Sequence, residues 1–71
     1  MDLDSATRVR DLALRAIEAL AEALDIVQQS ADAQTIDLIK KGVGLSIGTI
    51  DGRLLSVVYE RHPELDHLKG K

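Results

Sequence analysis

The apolar positions of this chain fall into two helical stripes separated by a short polar break. In 4-DSATRVRDLALRAIEALAEALDIVQQ-29, Val9, Leu12, Ala13, Ala16, Ile17, Leu20, Ala23, Leu24 and Val27 gather on one side of a helix turning about 100° per residue. Arg8, Asp11, Arg15, Glu18, Glu22, Asp25 and Gln29 take the other side. The segment is rich in Ala, Leu, Glu and Arg and holds neither Gly nor Pro, so local propensity agrees with the period. A helix over about 5–29 is predicted, with Asp4 or Ser5 as its cap and Asp11 with Arg15 as an i,i+4 ion pair. Leu14 and Ala21 widen its apolar arc to roughly 200°, about twice what one neighbour requires. This helix expects two.

The break 28-QQSADA-33 offers Ser30 or Asp32 as the cap of a second helix, and its shortness favours an antiparallel neighbour. Ile36, Ile39, Val43, Ile47, Ile50, Leu54 and Val57 then recur at steps of three and four, with Leu55 and Val58 beside them and Asp37 set to pair with Lys41. The pattern predicts a helix over about 32–62, ending at His62 because Pro63 disfavours helical geometry in the residue before it. The tail 63-PELDHLKGK-71 reads as a further turn or short helix that folds Leu65 and Leu68 back onto the hairpin. The expected fold is thus an all-α antiparallel hairpin, with 1–71 as a single domain.

Inside the second stripe stand four glycines in eleven residues, 42-GVGLSIGTIDG-52. Asp51-Gly52 is a strong hairpin-turn signal, so a β-hairpin over 42–59 is the competing reading. The apolar spacing at 54, 55, 57 and 58 argues for helix instead, as does the marginal stability of a lone two-stranded hairpin. On a helix, Gly44, Gly48 and Gly52 share one edge, and three helix-interior glycines cost roughly 2–3 kcal/mol relative to alanine. Close approach of another helix would offset that, through Ala13, Ala16 and Ala23 of the first helix or through the same edge of a second copy. Together with the wide first stripe, this predicts a homodimer in which two hairpins form a four-helix bundle.

Composition sharpens the picture in three places. At 71 residues the chain cannot bury a large fraction of its apolar surface alone. Without cysteine it has no disulfide staple and no thiolate metal site. Its net charge of −3, with Lys and Arg scattered, gives no basic footprint, so nucleic-acid binding is not expected. The acidic start 2-DLDS-5 does not read as a secretory signal, and the stretch from Val43 to Ile50 is too short to span a bilayer. A cytoplasmic protein that does not enter membranes is expected.

Little chemistry can be assembled. Lys40 and Asp51 project near the apolar stripe, where a charge must be paired or marginal, and Arg10 or Arg15 could meet Asp51. Tyr59, His62, Glu64, Asp66 and His67 gather groups suited to partner recognition, but the histidine spacing is not one that aims two imidazoles at a metal. There is no nucleophile with an adjacent base and no phosphate loop, so neither catalytic residues, cofactor nor metal is expected.

The segment 42-GVGLSIG-48 followed by 59-YERHPELDHL-68 resembles a group of small bacterial helical proteins of unknown function. These share a Gly-Val-Gly-x-x-Ile-Gly segment and a Tyr-x-x-His-Pro-Glu-Leu-Asp ending. The likeness covers the second half of the chain and implies a bacterial source and a continuous helix from Ile36 through Tyr59. It carries no activity. The functional expectation is therefore a small homodimeric interaction or regulatory protein. A nucleic-acid-binding bundle is the first alternative, requiring Arg8, Arg10, Arg15 and Lys40, or Lys41 and Arg53, to gather on one face. A small-molecule or metal-binding bundle is the second.

Overall fold

The computed structural model describes residues 1–66 and is helical almost throughout. Helix α1 spans Leu3–Ser30 and α2 spans Ala33–Thr49; a π-helical segment, Ile50–Leu55, continues directly into α3, Ser56–Arg61. A 3-10 turn, Pro63–Leu65, follows. No strand occurs among the described residues, which decides the 42–59 stretch in favour of helix. The second arm runs back along α1, giving a rod 45 × 22 × 16 Å in extent.

The helix ends follow from side-chain chemistry. Asp2, rather than Asp4 or Ser5, caps α1: its carboxylate accepts the backbone N–H of Ser5 at 2.9 Å. Asp32 caps α2 by accepting from the backbone and hydroxyl of Thr35, satisfying donors that a helix start leaves unpaired. His62 leaves helical geometry (φ −136°, ψ 74°) directly before Pro63, as the proline requires.

The core is a single seam. Ala6, Ala13, Val43, Leu55 and Val58 are its buried apolar residues, with Ile17, Leu20, Leu24, Ile36, Ile47 and Ile50 half-buried along it. Along the second arm, the steps from Ile36 through Val43, Ile47 and Ile50 would next place Leu54 and Val57 on α1. They do not. The π-helical turn widens the backbone by one residue, with the N–H of Ser56 reaching the carbonyl of Asp51, so the seam resumes at Leu55 and Val58.

Leu55 and Val58 are 2% and 1% exposed, against 41% and 47% for Leu54 and Val57. The sequence expected the opposite pair to lead. Either register buries one leucine and one valine, because both residues are doubled. What differs is the next position, Arg61 in a continuous α-helix and His62 after the π turn. An arginine on the seam must desolvate a guanidinium. His62 is instead accommodated there, its Nε2 3.0 Å from the Met1 carbonyl.

Candidate functional site

Towards the open end of the hairpin, α1, the π segment, α3 and the 3-10 turn line a groove of about 940 Å³. Its apolar lining comes from Leu14, Ile17, Leu55, Tyr59 and Leu65. Its polar lining is Arg10, Asp51, Ser56, Glu60 and Asp66, so three carboxylates stand with one cation. Arg10 organises the wall. Its side chain is only 17% exposed, its Nε and one terminal nitrogen donate to Asp11 at 3.1 and 3.0 Å, and the other terminal nitrogen donates to the Leu65 carbonyl at 3.3 Å. That last bond ties the C-terminal turn to α1 across 55 positions of sequence. Asp11 thus pairs with its neighbour Arg10, not with Arg15 as the i,i+4 spacing suggested. The Asp37–Lys41 pair does form, at 3.2 Å.

The structure divides the residues singled out from sequence. Tyr59 and Asp66 enter the groove. His62 turns away to the Met1 carbonyl, with its Nδ1 4.0 Å from Glu64, and His67 and Leu68 lie outside the described residues. Lys40 and Asp51 are both exposed, and no charged residue is buried among those described. Of the two placements expected, paired or marginal, the hairpin shows the marginal one: both groups reach water beside the apolar stripe. No group of three or more His, Asp or Glu among the described residues could hold a metal ion.

The glycine edge is not covered within the hairpin. Gly44, Gly48 and Gly52 are exposed, and a Cβ built on any of them meets nothing within 4 Å. Within one hairpin no helix approaches them. Of their expected mates, Ala13 is buried in the seam beside α2, whereas Ala16 and Ala23 are exposed. The physical reason is angular. The seam of α2 is centred on Val43 and Ile47, and the glycines lie to its side and behind it.

Sequence reasoning passed over Arg10, Leu14 and Ile17 as wall residues, while Glu60 stood in the C-terminal cluster 59-YERHPELDH-67 that it did single out. One signal for Arg10 was present: Ala6, Arg10, Ala13, Ile17, Leu20 and Leu24 form an unbroken alternation of four- and three-residue steps, with Arg10 the only charged member.

No helix among the described residues is long and apolar enough to cross a membrane. No protein-family model, curated protein or solved structure matches the chain.

Proposed function

We propose that this chain is a small non-enzymatic interaction protein of the cytoplasm that works as a homodimeric four-helix bundle and uses the groove at its open end to hold a segment of another protein. The observation that carries the reading is the imbalance between core and surface. The buried core consists of two alanines, two valines and one leucine, whereas Leu12, Ile26, Leu38 and Leu45 are each more than 60% exposed, Leu45 reaching 75%. A hairpin with so thin a core gains little from folding alone, and a second copy supplies the missing cover.

The groove's chemistry gives the class of partner. An apolar floor edged by Asp51 and Glu60 fits an aliphatic side chain flanked by Lys or Arg, and the protein's net charge of −3 adds a general attraction for such a segment. The cations do not support a nucleic-acid surface in the same way. Arg8 and Arg15 share the polar back of α1 with Asp11 and Glu22, and Lys41 is held by Asp37.

Light scattering tests the assembly. Twice the chain mass at micromolar concentration, with a melting temperature that rises with concentration, is expected. A folded monomer under those conditions overturns the dimer.

A further inference from the structure

We infer that the two copies meet through one particular face, with α1 lying antiparallel on α1 of the partner subunit about an axis through Ala19; this rests on the homodimer proposed above and specifies its interface. The face is the broad side of the hairpin, parallel to the plane of its two arms. On α1 it carries Leu12, Ala16, Ala19, Ala23 and Ile26, spaced in alternating steps of four and three, a second seam beside the one that packs on α2. All five are exposed, Leu12 at 61% and Ile26 at 65%. On the same side α2 presents Ile39, Gly42 and Ser46. The π turn brings Leu54 and Val57 onto it as well, which gives the doubled residues a purpose: Leu55 and Val58 fill the seam within a hairpin, Leu54 and Val57 the contact between hairpins. From Thr35 to Thr49 on α2 no charged side chain stands on this face, and on α1 Arg15 and Glu22 flank its outer edge.

Three features select a second copy, and an antiparallel one. The α1 stripe is large at both ends and small in the middle, and it reads nearly the same in either direction about Ala19. Antiparallel pairing sets Leu12 against Ile26 of the partner subunit and the central alanines against each other, an isologous contact. The adjoining row of α1 runs Arg8, Arg15, Glu22 and Gln29, so the same pairing puts Arg15 beside Glu22 of the partner subunit, twice. Parallel pairing would oppose Arg15 to itself. Counting outward from the turn at Ala31 and Asp32, Ala19 is level with about residue 44, so the axis crosses α2 between Gly42 and Ser46, where small residues again permit close approach.

The broad side of the hairpin, 45 Å by 22 Å in outline, sets an upper bound of about 1,000 Å² on the contact, against about 800 Å² per partner in a standard interface. The glycine edge is the weaker candidate, because Asp37, Lys41 and Asp51 lie along it.

The chain has no cysteine, so single substitutions make clean reporters. Ala19→Cys, oxidised with copper–phenanthroline, should give a covalent dimer on a non-reducing gel, and Glu18→Cys, pointing away, should not. Leu12→Cys should not cross-link to itself, but should do so when mixed with Ile26→Cys. Each variant is also sized by light scattering. Self-cross-linking of Leu12→Cys overturns the antiparallel arrangement. A dimer by scattering that Ala19→Cys cannot trap overturns this interface and leaves the homodimer standing. A monomer by scattering removes both.

Discussion

Replacing Gly44 and Gly48 by alanine tests how the second arm is covered. Both lie in the interior of α2, neither adopts a positive φ, and open space surrounds the position of each missing Cβ. Alanine therefore meets no steric barrier and removes the excess conformational freedom glycine has in the unfolded chain, worth roughly 0.5–1 kcal/mol per site. The two sites together should add about 1–2 kcal/mol. For a domain of this size each kcal/mol moves the melting temperature by about 4–8 °C, so the double variant should melt roughly 5–15 °C higher. Thermal unfolding followed by far-UV circular dichroism at one fixed concentration reads this directly, with light scattering on the same samples. A lower melting temperature, or a change in the mass found by scattering, would refute the reasoning: it would mean that another helix lies against this edge in the proposed dimer. Gly48→Leu makes the same test harsher, and on the open edge seen here it too should leave assembly intact.

Other consequences follow from the seam and the caps. Leu55→Ala should destabilise the fold by about 2–4 kcal/mol in urea titration, as expected for a buried leucine; a loss under about 1 kcal/mol would argue against the π register. Deleting Gly52 should be tolerated, because it converts the π turn to α-helix and keeps Leu55 and Val58 on the seam, whereas deleting Gly42 should unfold the second arm. Arg10→Met keeps the apolar stem but removes the hydrogen bond to the Leu65 carbonyl, so amide exchange at Leu65 and Asp66 should accelerate without a large change in melting temperature. The carboxyls of Asp2 and Asp32 are held below their ordinary pKa, first by the side chains of Ser5 and Thr35 and then by those residues' backbone N–H groups. A folded-state pKa below the unfolded one adds stability that is complete above the unfolded value, near 4, and is lost as pH falls through the folded value. Melting temperature should therefore drop below about pH 4, and Asp32→Asn, which still caps but does not titrate, should soften that fall.

What the sequence determined by itself is what depends on neighbours three or four residues away. Two helices, a short antiparallel connection, the Asp32 cap, the stop at Pro63 and the Asp37–Lys41 pair all express a local period or a local hydrogen bond, and a chain read in one dimension contains them. The excess width of the first stripe was equally legible, since it is only a count of apolar angles. Tertiary structure alone decided which side of each stripe meets the other arm. Leu54 with Val57 and Leu55 with Val58 are chemically the same choice, so no propensity separates them. In the register adopted, the next position on the seam is His62, and Arg61 stays in water. The groove has the same origin. Arg10 and Leu65 are far apart in sequence, and only the return of the second arm after its one-residue shift brings the Leu65 carbonyl within reach of the guanidinium.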